Sequence, residues 1–520
     1  MRQLTALDAQ FLHAESATTA VHVAGLAILD PACAPSGEVT RAGLIALLRD
    51  RLHLSPALSL RLADVPLALD LPYWVQDDEM DVADHVYEST LPSPGGQREL
   101  AELVARLHEA RLDRRRPLWE IHLINGLAGG RVAVYTKVHH SVIDGVTGAE
   151  TLASLLDLSP EPRAVEPPAA GGRPVVPDRF NMLADAVVRS ATHPMRALRS
   201  LTRAAADLDA IPLASSLPGA RFIARTTRLL SGDSREMPEL PDLTAPRTPL
   251  DGRISGERRF SYGSIPLGEV KRVAKAFGLS VNDVVMTLCS SAMRAWLRER
   301  KALPAQPLIA AVPVAVRKTE GDDAVGNRLS AMVTPLATDI ACPRERLAAV
   351  GDNMRTAKRR FALSPANWLN DLTSLLPAPL LTLASPALFR LTASAAPVVN
   401  LIISNVPGPQ FPLYMCGAKV LAYHPISALS DVTGGVNITC FSYDGSLDFG
   451  IVACPTRVDD VWELLSHLEH AMDELTALLP TPTVQPVPVP APPAPVPQPA
   501  AAPLPALRVT LADRREPVPA

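Results

Sequence analysis

The sequence lacks the marks of several large protein classes. Its six cysteines, Cys33, Cys289, Cys342, Cys416, Cys440 and Cys454, form no CxxC pair and no Cys/His cluster at zinc spacing. Neither a zinc module nor a disulfide framework is therefore supported, and reduced, mostly buried thiols of an intracellular protein are expected. Charge of one sign is also missing: 50 Lys+Arg stand against 54 Asp+Glu, a net −4, so no global field attracts nucleic acid. The opening residues MRQLTALDAQFLHAES lack the apolar stretch of roughly 7–15 residues that a secretory signal needs. There is no GxSxG, so a serine acyl-enzyme is not supported. No clean run of about 20 apolar helical residues exists either. The nearest approach is Leu372 to Ala418, where only Arg390 carries a charge but Pro377, Pro379, Pro386 and Pro397 interrupt.

What is present points to a soluble globular chain. The hydrophobic fraction is 47% and the charged fraction 20%, too apolar for a wholly disordered protein. A length of 520 residues predicts two to four domains. The 51 prolines are about twice the usual share and are concentrated in a few segments.

Apolar spacing predicts amphipathic helices over Thr40–Leu52 and Glu99–Leu112, with strand-like runs at His22–Leu29 and Val132–Val138. These place a mixed helix-and-strand segment at 1–160. Residues 161–250 combine a Pro/Ala/Gly-rich linker with a helical stretch from Asn181 to about Leu230 that bridges two halves. A second mixed segment occupies 251–479. Its helices fall at Leu267–Phe277, Val281–Arg300 and Asp459–Leu479, and its strands at Leu308–Val316, Val398–Ile403, Val436–Tyr443 and Leu447–Cys454. Residues 480–520 favour polyproline II without a packed core. That tail is either a disordered extension or a docking segment for a proline-binding protein partner.

The chemistry is concentrated in Lys137-Val-His139-His140-Ser-Val-Ile-Asp144-Gly145, which follows a buried strand and ends in an Asp-Gly turn signal. Four fixed residues in seven arise by chance in such a chain at about one in a thousand. Side chains alternate along a strand, so the adjacent histidines point in different directions. His140 is read as the ring that enters a cleft. His139 and Asp144 are read as holding the turn, and Gly145 as permitting a conformation that other residues resist.

HHxxxDG is similar to the signature of the chloramphenicol-acetyltransferase-like acyltransferases, which peptide-synthetase condensation domains share. Further blocks narrow the resemblance. They are Leu7-Asp8-Ala9-Gln10-Phe11-Leu12, Arg61-Leu62, Trp74-Val75, Pro117-Leu118-Trp119-Glu120, Val281-Asn282-Asp283-Val284, Pro313-Val-Ala-Val-Arg317, Gly326-Asn327 and Ser404-Asn405-Val406-Pro407-Gly408-Pro409. In this order, and reaching to about Leu479, they resemble the bacterial wax ester synthase/diacylglycerol acyltransferase family. The tail after Pro480 lies outside the resemblance.

The resemblance implies a mixed α/β fold of two chloramphenicol-acetyltransferase-like lobes, their mixed sheets flanked by helices and meeting at a tunnel with His140 at the junction. It implies transfer of a long-chain acyl group from acyl-CoA to diacylglycerol, with fatty alcohol as the nearest variant acceptor. His140 would act as general base, with no metal and no cofactor beyond the acyl-CoA co-substrate. It carries Pro117, Leu118, Trp119, Asn282, Asp283, Asn405, Pro407 and Gly408 over as substrate contacts, and Arg61 in preference to Arg317 as the partner of Asp144. Residue by residue, other readings stay open. Asn282 and Asp283 serve equally as a helix N-cap and a dipole partner, Trp119 as core, and Asn405 and Gly408 as turn chemistry. The basic runs Arg114–Arg116 and Lys358–Arg360 suit CoA phosphates, anionic lipid or simply solvent.

The nearly uncharged Leu372–Ala418 stretch favours a lipid substrate, and a cytoplasmic location peripheral to the inner membrane or lipid droplets. A condensation-type enzyme would carry a carrier or adenylation domain, for which 520 residues leave no room. A non-catalytic lipid-binding protein of the same fold is disfavoured by the intact motif.

Overall fold

The computed structural model describes residues 2–143, 145–167, 181–189, 220–231, 243–315, 329–363 and 397–480. Its strands are β1 (Arg2–Gln3), β2 (His22–Asp30), β3 (Leu60–Ala63), β4 (Tyr73–Gln76), β5 (Val86–Thr90), β6 (Trp119–Asn125), β7 (Val132–His139), β8 (Arg259–Pro266), β9 (Ile309–Ala315), β10 (Leu329–Pro335), β11 (Leu401–Pro407), β12 (Tyr414–Met415), β13 (Ala418–Ile426), β14 (Val436–Tyr443) and β15 (Ser446–Ala453). The helices are α1 (Ala6–Ala14), α2 (Arg41–Arg51), α3 (Gln97–Glu109), α4 (Gly145–Leu155), α5 (181–189), α6 (Ala220–Ser231), α7 (Leu267–Phe277), α8 (Val281–Glu299), α9 (Pro343–Leu363) and α10 (Val461–Ala477). Most expected elements stand within a few residues of their predicted bounds. The Leu372–Ala418 stretch lies largely outside the described residues, as do Asp144, Arg317, Gly326, Asn327 and the tail from 481.

Two six-stranded mixed sheets dominate, ordered β12-β13-β2-β7-β6-β5 and β10-β9-β11-β14-β15-β8, with a small third sheet β1-β4-β3. In the first, antiparallel β2 and β7 pair His22 with His139 and Val23 with Val138. The second is parallel at its centre, where β11 lies between β9 and β14. Such centres are covered on both faces, and Leu401, Ile403, Ile438 and Cys440 of these strands are buried. The core behind this sheet is built from α7, α8 and α10. Its members include Val284, Leu288, Trp296, Leu464 and Leu468, all essentially inaccessible. Helix α7 stops at Gly278, which is left-handed (φ 64°), and α8 starts on a Ser280/Asp283 capping box.

The halves of the sequence do not keep to separate sheets. β12 and β13 come from the second half yet extend the first sheet, β13 running antiparallel to β2 with Tyr423 opposite Ala27 and Pro425 opposite Gly25. The other side of β13 approaches the second sheet so closely that a Cβ on Gly450 would lie 1.9 Å from the Pro425 carbonyl oxygen. Buried Asp448 of β15 accepts from the Tyr423 backbone N–H at 2.8 Å and from the Ser264 hydroxyl at 2.6 Å, fastening this crossing. Residues 1–479 accordingly form one compact unit. Among the described residues no single helix is long and apolar enough to cross a membrane.

Candidate active site

Alternation along β7 decides which groups meet. Thr136, Val138 and then His140 project to one face, and Tyr135, Lys137 and His139 to the other. The first face borders a cavity of about 200 Å³. Its walls come from both halves of the chain: Val23 and Gly25 of β2, Thr151, Leu152 and Leu155 of α4, Val406 of β11, Tyr423 of β13 and Phe441 of β14. Gly25 is required here, because a Cβ would fall 1.9 Å from the Tyr423 phenol oxygen, which lies across the strand. Burial pushes that phenol up to about 12, so it enters the cavity as a neutral hydroxyl. His140 lines the cavity half-buried, with its ring stacked on Phe11 at 4.3 Å and 12°. Its backbone N–H donates to the Val21 carbonyl at 2.9 Å.

The groups on the opposite face, Tyr135, Lys137 and His139, are buried. His139 is 1% exposed, and its Nδ1 accepts from the Ser141 backbone N–H at 3.1 Å. Its Nε2 stands 3.4 Å from Glu15 Oε1, and His22 Nε2 stands 3.5 Å from the same oxygen. Lys137 Nζ, also buried, donates to the Leu107 and Ala110 carbonyls at the end of α3 and lies 3.0 Å from Glu120. A cation at a helix C-terminus suits both the dipole and the orphan carbonyls.

Burial raises the Glu15 carboxyl, but the His139 and His22 rings and the Arg114 guanidinium outweigh it and hold the group below the carboxylate range. Burial takes His22 down to about 4 against the pull of Glu15, and takes His108 well below its ordinary value. Both rings are neutral in the folded chain at pH 7, whereas the unfolded chain binds their protons near pH 6.5. Stability is therefore complete above about pH 6.5 and falls as pH drops toward 4, by about 1.4 kcal/mol per pH unit for each ring. Thermal melts between pH 7.5 and 4.5 check this. The melting temperature should hold down to about pH 6.5 and fall below it, and His22→Phe should flatten that slope.

The remaining sequence-derived residues are placed as follows. Asn405 and Asn282 are brought together, Nδ2 of the first donating to Oδ1 of the second at 3.1 Å. In β11, Ser404 and Val406 face the cavity while Asn405 points the other way, toward α8 and Cys440. Neither asparagine is among the described residues that line this cavity. Asp283 accepts from the Ser280 backbone N–H at 3.0 Å and pairs with Lys358 at 2.9 Å, which makes it a cap. Asp283→Ala should destabilise the fold by about 1 kcal/mol while changing acyl transfer less than two-fold, as denaturation midpoints and rates would show.

Trp119 belongs to the first-sheet core, with its Nε1–H bonded to the Leu58 carbonyl at 2.7 Å and its ring stacked on His85. Leu118 is buried beside it, and its carbonyl accepts the His139 N–H at 3.0 Å. Buried Pro117 ends the preceding turn, its carbonyl accepting the Trp119 N–H at 2.9 Å. This block therefore supports the histidine turn from behind; it is not among the described residues around His140, although Pro117 borders a separate surface cavity beside Arg61, His85 and Arg116. Pro407 ends β11, and Gly408 packs so tightly on Phe441 that a Cβ would sit 2.3 Å from the ring. Gly408 thus borders the cavity through Phe441, which lines it. Gly145 opens α4. Arg61 stands 3.9 Å from Asp77, and its expected partner Asp144 lies outside the described residues. Of the basic runs, Arg114 is bound to Glu15 and Arg115 to Asp113. Sequence reasoning assigned no role to Phe11, although it lies inside the quoted LDAQFL block, and missed Glu15 and His22 altogether.

The model of the wax ester synthase/diacylglycerol acyltransferase catalytic domain matches residues 4–285, and that of the family's C-terminal domain matches 325–476. The chain belongs to this family. A Mycobacterium tuberculosis member named as a probable diacylglycerol O-acyltransferase, tgs2, is 34% identical over 473 residues, covering 90% of this chain and 97% of that one. The wax ester synthase/diacylglycerol acyltransferase of Marinobacter aquaeolei VT8 superposes with a TM-score of 0.64 at 29% identity, over 92% of this chain and 99% of that one. The first condensation domain of the calcium-dependent antibiotic synthetase, 17% identical with a TM-score of 0.51, covers 92% of this chain and 96% of its own and shares the fold. As a member of the wax ester synthase/diacylglycerol acyltransferase family, the chain is an acyltransferase, and its mixed α/β architecture is that of the family.

Proposed function

We propose that the protein transfers a long-chain acyl group from acyl-CoA to diacylglycerol, forming triacylglycerol, with His140 as general base. The observation that carries this reading is the His140 imidazole set into a mostly apolar cavity whose walls come from both halves of the chain. A hydroxyl is a poor nucleophile until a positioned base takes its proton, and a neutral imidazole does this near pH 7. The oxygen attacks the thioester carbonyl, the proton passes to His140, and the carbon–sulfur bond breaks. The same proton then goes to the departing CoA sulfur. Direct transfer is favoured over a covalent acyl-enzyme because no cysteine is among the described lining residues, and burial pushes the Cys289 thiol up to about 12. The oxyanion needs donors in a dry site, and the hydroxyls of Thr136, Ser404, Ser427 and Thr439 lie in the wall.

At about 200 Å³ the described cavity is smaller than the roughly 300–1,000 Å³ of a whole-ligand pocket. It suits the reacting ends of the two substrates, with their chains extending beyond it. Placement in the cytoplasm, on the inner membrane face or on lipid droplets, follows from such substrates. Carbonate extraction should release the protein, and its retention in the bilayer would exclude a peripheral mode.

The deciding experiment gives purified protein a labelled long-chain acyl-CoA with diacylglycerol, hexadecanol, a monoacylglycerol or a sterol. Triacylglycerol as main product supports the reading. Preference for hexadecanol makes the protein a wax ester synthase, and no ester from any acceptor leaves a lipid-binding role.

A further inference from the structure

Behind the sheet, one carboxylate touches three segments next to His140: the end of α1, Val21 and His139. Glu15 follows the last turn of α1, and its side chain is 3% exposed. Oε1 lies 3.4 Å from His139 Nε2, 3.5 Å from His22 Nε2 and 3.5 Å from the Val21 backbone N–H donor. Oε2 accepts from Arg114 at 2.7 Å, and the same guanidinium nitrogen donates to the Leu12 carbonyl at 2.5 Å. A charge this deep is tolerable only when paired, and Arg114 supplies the pairing from a side chain that is 44% exposed.

Three routes run from this group to His140. The first passes along α1: Phe11 lies one turn before Glu15, and its ring stacks on His140 at 4.3 Å. The second passes through Val21, whose N–H end faces Glu15 while its carbonyl holds the His140 N–H at 2.9 Å. The third passes through His139. The Ser141 backbone N–H donates to His139 Nδ1, so that nitrogen carries a lone pair and the N–H of the ring is at Nε2, facing Glu15. The contacts to the two histidines are longer than ordinary hydrogen bonds, and the carboxylate acts on them chiefly through its charge, which is little screened in a buried site.

We infer that Glu15 is a positioning residue for acyl transfer: its buried carboxylate anchors the Nε2 end of the His139 ring, whose Nδ1 end is held by the Ser141 N–H, and the seat of Phe11, and through them the ring plane of His140. The inference rests on His140 as the proton acceptor. It assigns Glu15 no contact with substrate.

Glu15→Gln keeps the volume but replaces one acceptor oxygen with an amide N–H that opposes the N–H groups already aimed there. With long-chain acyl-CoA and diacylglycerol, the variant should lose about 10- to 100-fold in kcat while the KM for acyl-CoA stays within about two-fold, as expected for a misplaced group. Glu15→Asp, which restores charge without full reach, should recover part of the loss. The second readout needs no turnover: nitrogen NMR of the full chain labelled with ¹⁵N at its histidine rings. The wild type should show His139 as the Nε2–H tautomer, and Glu15→Gln should shift the His139 Nε2 and His140 signals.

Should Glu15→Gln fail to fold, Arg114→Gln alters the same carboxylate from its solvent side and should move the same signals with a smaller loss of kcat. Wild-type kcat in a folded Glu15→Gln, or a lowered kcat with unchanged imidazole signals, would overturn the inference. Undiminished activity in His140→Ala would instead remove the general-base reading, leaving the imidazole signals to decide Glu15's structural part alone.

Discussion

His140→Ala is expected to lower the rate of acyl transfer to diacylglycerol by about 10²–10⁴-fold, the usual contribution of a positioned general base. The ring is half-buried in the cavity wall and stacked on Phe11, so its loss leaves a small void without breaking a ladder bond of the sheet. Binding of acyl-CoA should survive, and the melting temperature should change little. Transfer of a labelled acyl group, measured beside a thermal melt, checks both expectations. A folded variant with wild-type turnover would contradict the mechanism. His139→Ala should act differently, because that ring is packed among Glu15, His22 and Ser141 on the far side of the sheet. Its removal should lower stability and activity together.

The second large effect concerns the seam between the sheets. Gly450→Val places a branched side chain where a single Cβ would already meet the Pro425 carbonyl at 1.9 Å. The obstacle is backbone within β13, not the movable end of a side chain, so relief requires separating β13 from β15. Overpacking of this kind costs about 3 kcal/mol. Pro425, Ile426 and Ser427 line the cavity just beyond the clash, so activity should fall along with stability. A shift in the denaturant midpoint, accompanied by loss of transfer, is the expected result. Gly450→Ala should show a smaller shift in the same direction. An unshifted midpoint for the valine variant would mean that the two strands are not held as closely as described.

Local signals in the sequence were enough for much of the fold. The amphipathic helices α2, α3 and α10 and the capping signal of α8 are encoded by residues within a few positions of one another. So is the buried run of β7, whose two-residue period also assigned His139 and His140 to opposite faces. β13 was not legible. Ala418–Ile426 carries Pro425 and is stabilised by β2 on one side and by Asp448 of β15 on the other, both remote in the chain. The same limit applies to the site. The motif located His140, but the roles of Asn282, Asp283, Trp119 and Asn405 depended on which face of its element each side chain takes. In the structure these became a paired asparagine bridge, a cap and a core ring. Glu15 carried no signal because an acidic residue after a helix ordinarily faces water. Only the fold brings it under two histidines.

The strand exchange also bears on how the chain is made. While the ribosome is still reading the second half, β2 is without its neighbour on one side, and that edge stays open until Ala418–Ile426 has emerged. At about 5–20 residues per second the wait is roughly 20–80 s. Over that time an apolar strand edge is exposed to other nascent chains. Truncation anywhere before Ile426 should therefore yield an insoluble product, not a functional amino-terminal module.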